Sequence, residues 1–234
     1  IIVDPTFSPA LTVGKQVCGG EEMELTANSP LSTGIVYEWS FDGQEYQLLP
    51  SPTKYTFENN GTSSRTANVT VRARRETDGK GLCAKTLSAD VVVRPKVVAQ
   101  ILPKYGDRCA WPTPIEFKNL SQCSEPASAE TTFTWKYSSA SGASSAVEVS
   151  RTLDGKRWSF PPESETEITV YTVTLEAQQK YTIGADVLTC SSQVPAVVKA
   201  EVYPELKADF TLSETQGCAP LTVRATDKSK GGRD

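Results

Sequence analysis

Cysteine, tryptophan and the acidic residues are the side chains of this sequence that could do chemistry, because histidine is absent. The 234 residues include six Cys, four Trp and 28 Asp and Glu, but no His. Ser-His-Asp and Cys-His catalysis, His-ligated zinc and the usual general base near neutral pH all require an imidazole. We therefore expect a protein that is not an enzyme, and we assign it no cofactor and no metal.

The clusters of charged residues have no spacing that is typical of a site. The acidic runs 21–24 and 163–167 lack the loop spacing with which six to eight oxygens converge on Ca²⁺. No pair of acids stands out as a glycosidase pair. Arg72, Arg74 and Arg75 form a short basic patch, which we interpret as a solvated strand edge that discourages sheet pairing. We expect these charges to face solvent.

The cysteines indicate disulfide bonds in an oxidising, extracytoplasmic compartment. Six Cys accompany a single Met, and no Cys-x-x-Cys pair supports a zinc or redox motif. All six are disulfide candidates: Cys18, Cys83, Cys109, Cys123, Cys190 and Cys218.

The four tryptophans divide into two pairs. Trp39 and Trp135 each lie within an alternating run, at a position where a β-sandwich needs a bulky core residue. Trp111 and Trp158 do not occupy obvious core positions. They are candidates for stacking on a sugar ligand, and packing at a domain junction or edge is the alternative.

The elements that must position these residues are β-strands. Polar and apolar residues alternate in Ala67–Ala73, Thr132–Tyr137, Ile168–Ala177 and Val197–Tyr203, which is the period of a sheet with one buried face. Asp-Gly and Asn-Gly turn signals and many of the 15 Pro separate such runs. No stretch sustains a helical spacing over three turns. The sequence therefore predicts an all-β fold.

The chain also repeats itself. Cys18–Leu25, Cys109–Phe117 and Cys218–Val223 share a Cys, a short step with Gly or Pro, and an alternating strand. The first two are followed by a strand that carries one Trp, Trp39 or Trp135, and later by a second Cys. This pattern predicts two complete units and the opening of a third.

Domain boundaries are expected where Pro interrupts the strand pattern, near Pro95 and Pro204. We predict immunoglobulin-like sandwiches over residues 1–96 and 97–204. Residues 205–234 would be the N-terminal fragment of a third, incomplete domain. The absence of an initiating Met and the loop-like end lead us to expect a piece of a longer polypeptide.

Disulfide connectivity remains open between two alternatives. In an immunoglobulin-like strand order the first Cys of each unit lies in the loop before strand B, at one end of the sandwich. The second lies in the loop after strand F, at the other end. A seven-residue strand separates these ends by roughly 23 Å, whereas a disulfide needs Cα atoms within about 7 Å. We therefore expect either Cys18–Cys190, between tandem units, or a local Cys123–Cys190 bond.

The third repeat resembles a known family. Ala208–Ser229 is similar to the opening of a PKD (polycystic kidney disease type) domain, of the Cys-bearing variety found in tandem in cell-surface proteins of Bacteroidota. Residues 99–203 resemble a diverged second copy, in which Tyr171–Ala177 matches the family's Tyr-containing sixth strand. Trp39–Gly43 is similar to the family's Trp-Asp-Phe-Gly-Asp-Gly segment. The resemblance implies tandem PKD-like sandwiches with Tyr171 as a core residue.

The resemblance also implies a function without catalysis. Such domains act as spacers or adhesion modules in long proteins, often exported by type IX secretion, including gliding-motility adhesins. We expect a stalk or spacer segment of a secreted, outer-membrane-associated surface protein. The alternative is an accessory or glycan-binding module of a secreted hydrolase.

Net charge and hydropathy limit the classes of binding partner that we expect. The net charge of −4 offers no basic excess for a phosphate backbone, so we expect no nucleic acid. No apolar run approaches the ~20 residues of a membrane span. The expected partners are neighbouring domains of the same polypeptide, other cell-surface or secretion-machinery proteins, and surface glycans.

Overall fold

The computed structural model describes residues 8–30, 34–78, 83–102, 113–123 and 130–231. Within these residues the regular structure is β-strand, and no helix occurs. The predicted all-β fold class is therefore confirmed. The described chain packs as two compact units, the first from Ile1–Val97, Gln122–Thr131 and Gln178–Ser191, the second from Val98–Ser121, Thr132–Ala177 and Ser192–Asp234.

The first unit contains two sheets that share one core. Strand β2 pairs in parallel with β8, and the other strand pairs are antiparallel. The strand orders are β1-β3-β6 and β2-β8-β7-β4-β5, which are typical of an immunoglobulin-like sandwich. The strands are β1 (Ala10–Thr12), β2 (Gln16–Cys18), β3 (Glu22–Asn28), β4 (Ile35–Phe41), β5 (Gln47–Leu48), β6 (Thr53–Thr56), β7 (Arg65–Arg75) and β8 (Lys85–Arg94).

Trp39 lies in the core of this unit. Its side chain is fully buried and stacks near Phe41, which in turn stacks on Tyr55 of the facing sheet. Alternate residues of β7 point to the same cluster, from Ala67 to Val71. The period of two in the sequence thus becomes one buried face for each sheet.

The next eight strands, between residues 101 and 202, also form two sheets. Their orders are β13-β10-β9 and β12-β11-β14-β15, and β16 pairs with the first half of β14. The end of β14 and all of β15 belong to the first unit. The strands are β9 (Ile101–Leu102), β10 (Ile115–Asn119), β11 (Glu130–Ser139), β12 (Ser145–Ser150), β13 (Lys156–Trp158), β14 (Thr169–Ile183), β15 (Asp186–Ser191) and β16 (Ala196–Val202).

An aromatic cluster fills the core of the second unit. Trp135 and Tyr171 are fully buried, as is Phe160, whose ring lies 4.6 Å from that of Tyr171. The Tyr171 hydroxyl donates a 2.7 Å hydrogen bond to the carbonyl of Pro161. Burial raises the pKa of this phenol. Tyr171 therefore joins the start of β14 to the loop before it.

The C-terminal part of the chain forms a separate small hairpin. Strands β17 (Phe210–Leu212) and β18 (Ala225–Asp227) pair with each other, and every residue of both is exposed. The third, incomplete domain predicted over residues 205–234 stays a prediction, as do the boundaries near Pro95 and Pro204.

Two details of the sequence interpretation are wrong. Arg72, Arg74 and Arg75 lie on β7, which is an interior strand between β4 and β8, so they do not form a sheet edge. Cys18 and Cys190 lie within strands β2 and β15 rather than in loops. Of the other predicted residues, Cys109 and Trp111 lie outside the described part of the chain.

Candidate functional site

The candidate site is a disulfide bond within the first unit. Cys18 and Cys190 are joined with their Cα atoms 5.5 Å apart, across a sequence separation of 172 residues. Only 2% and 1% of the two residues are exposed. This is one of the two pairings that the sequence left open, and it contradicts the Cys123–Cys190 alternative.

A glycine turn holds Cys18 in place. Cys18 ends β2 opposite Arg94, and the next amide, that of Gly19, donates a 2.9 Å hydrogen bond to the Arg94 carbonyl. A Cβ atom on Gly19 would lie 2.9 Å from the carbonyl oxygens of both Arg94 and Asn59. Only glycine fits such a close approach of three backbone segments. The sequence Cys18-Gly19-Gly20 therefore fixes the thiol position.

A tight hairpin positions Cys190. Strands β14 and β15 pair in antiparallel register with Gln179 opposite Cys190. The turn contains Gly184 at φ +61°, a conformation that favours glycine. We use the name hairpin arm for residues Gln178–Ser191, which the disulfide attaches to β2.

A chain of polar contacts accompanies the disulfide. The Arg94 guanidinium donates two hydrogen bonds to Gln16 Oε1, at 2.9 and 3.1 Å, and lies over the Tyr181 ring with Cζ 4.5 Å from its centroid. The Tyr181 hydroxyl donates to Gln179 Oε1 at 2.9 Å. Gln179 Nε2 in turn donates to Thr131 Oγ1 at 3.1 Å. Arg94 thus contacts both β2 and the hairpin arm beside the disulfide.

An exposed ion pair adds one further contact of the hairpin arm. Lys15 Nζ lies 2.9 Å from Asp186 Oδ2, and both side chains are more than half exposed. Exposed pairs of this kind contribute little to stability. The covalent bond and the Arg94 contacts therefore dominate the attachment of the hairpin arm.

Sequence reasoning missed the Arg94 and Gln179 contacts. Arg94 ends a Val-rich run and Gln179 follows Gln178 in a polar stretch, so neither residue stands out locally. Their roles arise from pairing between strands far apart in the chain, which leaves no short-range signal.

The other described cysteines are free thiols. Cys83 and Cys218 are exposed, and Cys123 is half-buried. Burial raises the pKa of the Cys123 thiol, which disfavours the reactive thiolate. The Cys83 amide donates to Asp78 Oδ2 at 2.9 Å.

A network of charged side chains lies on the five-stranded sheet of the first unit. Glu38 Oε2 accepts from Arg72 Nε at 2.6 Å, and Glu38 Oε1 accepts from Arg74 Nε at 3.1 Å. Arg72 also lies over the Tyr46 ring at 4.8 Å. Burial raises the pKa of Glu38, but the two arginines outweigh that effect and hold it below its ordinary range. Two arginines of the basic patch are therefore part of a structural ion-pair network centred on Glu38.

Trp158 is engaged inside the second unit. Its half-buried ring meets Trp135 and Tyr137 edge to face, with centroids 6.1 and 5.0 Å away. The indole N–H donates to Glu148 Oε1 at 2.9 Å, and Lys156 Nζ donates to the other carboxylate oxygen at 2.7 Å. Hydrogen bonds from Lys156 and then Trp158 lower the pKa of Glu148. Ligand stacking by Trp158 stays a prediction.

Glu163 and Glu165 of the acidic run line a shallow polar depression in the second unit. Glu163 accepts a hydrogen bond from Ser141, and Glu165 accepts one from Lys207 at 2.9 Å. Among the described residues no group of three or more His, Cys, Asp or Glu is placed to hold a metal ion. The depression is lined by Pro162, Glu163, Ser164, Glu165, Glu205 and Lys207.

In the part of the chain that the structure describes, no helix is long and apolar enough to cross a membrane.

No family model matches the chain, and no curated protein matches its sequence. Solved structures that are similar to it share 9–16% identity with it. Fibronectin(III)-like modules of Clostridium thermocellum CbhA are 15% identical over 82% of this chain and 94% of that chain, with a TM-score of 0.31. The chicken interferon gamma receptor alpha chain is 11% identical over 83% of this chain and 97% of that chain, with a TM-score of 0.32. The FN1–FN3 domains of chicken CNTN1 are 16% identical over 78% and 66%, with a TM-score of 0.32. The fold assignment rests on the strand orders and cores described above.

Proposed function

We propose that this chain is a non-catalytic spacer segment that resists tension within a larger secreted bacterial surface protein. The observation that carries the proposal is the buried Cys18–Cys190 bond. Its 172-residue separation closes most of the 234-residue chain into one covalent loop.

The disulfide determines the path of a pulling force. Tension applied to the two ends of the chain reaches Cys18 and Cys190 and passes through the S–S bond. Strands β3 to β14 lie between these positions and then carry no tension. A covalent bypass of this kind suits a stalk or spacer that holds a distal region away from a surface.

The same bond supports an extracytoplasmic location. Disulfides persist in oxidising compartments and are rare in the cytosol. The PKD-like resemblance of residues 208–229 supports a Bacteroidota cell-surface protein of the gliding or attachment type, exported by type IX secretion. Its partners would be neighbouring domains of the same polypeptide and other surface proteins.

Single-molecule pulling from the two chain ends tests the proposal. With the disulfide intact, only residues outside the 18–190 loop should extend. The Cys18→Ser variant should gain extension from the 172 residues of the loop, or about 600 Å at about 3.6 Å per residue. Cys83→Ser, which changes a free thiol, should behave as wild type. Equal extension in the wild type and Cys18→Ser would refute the proposal.

A glycan array distinguishes the alternative of a glycan-binding module from a secreted hydrolase. Because Trp158 is engaged by contacts inside the second unit, we expect the wild type to bind no glycan on the array. A signal that is lost in Trp158→Ala, with the fold verified by circular dichroism, would instead support the alternative.

A further inference from the structure

Strand β12, residues Ser145–Ser150, is an apolar sheet edge in the second unit. It is the terminal strand of its sheet, and among the described residues it pairs only with β11. Its outward-facing Val147 and Val149 are 65% and 64% exposed. Its single charged residue, Glu148, lies on the opposite face and is bound by Lys156 and Trp158.

Natural sheet edges usually carry protection against pairing with another chain, such as an outward charge, a proline or a very short strand. Strand β16 has such protection, because Lys199 and Glu201 follow the exposed Val197 on the same face. Strand β5 of the first unit spans only two residues. Strand β12 has six residues, no proline and no charge on its exposed face, and Lys156 compensates the charge of Glu148 on its other face.

The hydrogen-bond register shows which backbone groups of β12 face outward. The Ser139 amide donates to the Ser144 carbonyl at 2.8 Å, and Trp135 lies opposite Glu148 in the same register. Because hydrogen-bonded pairs alternate along an antiparallel ladder, the even-numbered residues of β12 bond to β11. The N–H and C=O groups of Ser145, Val147 and Val149 therefore point away from the sheet.

We propose that β12 pairs with β12 of a second copy of this chain, which makes a two-fold symmetric antiparallel dimer. The occupant follows from the strand itself, since Val147-Glu148-Val149 reads identically in both directions and has a small residue on either side, Ala146 and Ser150. A two-fold axis normal to the sheet sets residues of like parity opposite each other, as the outward hydrogen-bonding groups require.

The register with Val147 opposite Val149 brings four valines together on one face. Cross-strand contacts between β-branched side chains stabilise such a pair. On the other face the two Glu148 side chains meet with Lys156 2.7 Å from each carboxylate, so bare negative charges do not oppose each other. One short edge forms a small contact, so we expect a weak, concentration-dependent dimer.

Sedimentation equilibrium of the full chain, alkylated at its free thiols, tests this inference. The apparent mass should rise from 25.3 kDa toward twice that value as the concentration approaches roughly 1 mM. The V147K/V149K variant should raise the dissociation constant more than about tenfold, because four lysines would meet across the edge. The control V197K changes a valine of 55% exposure on β16 and should dimerise as wild type.

A proline variant separates backbone pairing from surface hydrophobicity. The Val149 amide points outward, so Val149→Pro removes an intermolecular donor without removing a bond to β11. It should abolish the dimer while the thermal unfolding midpoint stays close to that of wild type. A wild-type mass of 25.3 kDa at every concentration would overturn the inference. Equal weakening by V197K, or a proline variant that still dimerises, would also overturn it.

Discussion

At the scale of single residues, the two core tryptophans combine large apolar area with an unsatisfied donor. Trp39 and Trp135 are fully buried, and neither indole Nε1 has a hydrogen-bond partner among the described residues. An unpaired buried N–H costs free energy, so the indoles stabilise the sandwiches by filling volume rather than by hydrogen bonding.

This balance predicts a graded response at Trp135. Trp135→Ala should lower the free energy of unfolding by about 3–5 kcal/mol, because it leaves a large cavity. Trp135→Phe should cost clearly less, since it keeps most of the ring volume and removes the unpaired N–H. Urea denaturation followed by circular dichroism measures both. Equal costs for the two variants would contradict the conclusion that filled volume determines the contribution of Trp135.

From the Glu38 network we expect a contribution to the free energy of unfolding that depends on pH. Glu38 is 14% exposed between Arg72 and Arg74, so Glu38→Gln should cost about 1–2 kcal/mol at pH 7. The folded-state pKa lies below the unfolded one, so the stabilisation is present above the unfolded pKa. It is lost as the pH falls through the folded pKa.

Urea denaturation of wild type and Glu38→Gln at pH 7 and at pH 3 checks this expectation. The difference in unfolding free energy should shrink at the lower pH. Glu24→Gln, on the exposed side of β3, is the matched control. A difference for Glu38→Gln that does not change with pH would rule out the carboxylate charge as its source.

At the scale of elements, the hairpin arm depends on its crosslink. Its two strands pair with each other, and β14 also has β11 as a sheet neighbour. The disulfide and Arg94 connect the arm to β2 and β8, and Lys15, just before β2, adds one exposed ion pair. Removing the disulfide should therefore loosen this element first.

Hydrogen exchange of Cys18→Ser measures that loosening. Amides of β15 should exchange at least about tenfold faster, because local opening no longer strains a covalent bond. Amides of β7, an interior strand held by β4 and β8, should keep their protection, and Cys83→Ser should leave both regions unchanged. Uniform acceleration across β7 and β15 would show that the crosslink acts on the whole unit instead.

Elements with a local pattern could be predicted from the sequence, whereas long-range pairings could not. The alternation in 67–73 and 168–177 predicted β7 and β14, and the position of Trp135 predicted a central residue of the sheet. The attachment of the hairpin arm to β2 has no local signature, so geometry alone left Cys18–Cys190 and Cys123–Cys190 open. Glu38 is likewise invisible in sequence, because its arginine partners are 34 and 36 residues away.

At the scale of the whole molecule, the 172-residue loop restricts the unfolded chain more than any single contact does. In the chain-entropy description, closing a loop of this length removes about 5 kcal/mol of unfolded-state entropy at 25 °C. The double variant Cys18→Ala/Cys190→Ala should lose up to that free energy of unfolding, and its urea midpoint should fall accordingly. Cys83→Ala/Cys218→Ala, which removes two exposed free thiols, is the matched control and should unfold as wild type does. A slope of unfolding free energy against urea that rises in the Cys18→Ala/Cys190→Ala variant would place the effect in a more expanded unfolded chain. An unchanged midpoint would mean that the crosslink stabilises neither unit, and that its contribution is confined to the path of applied force.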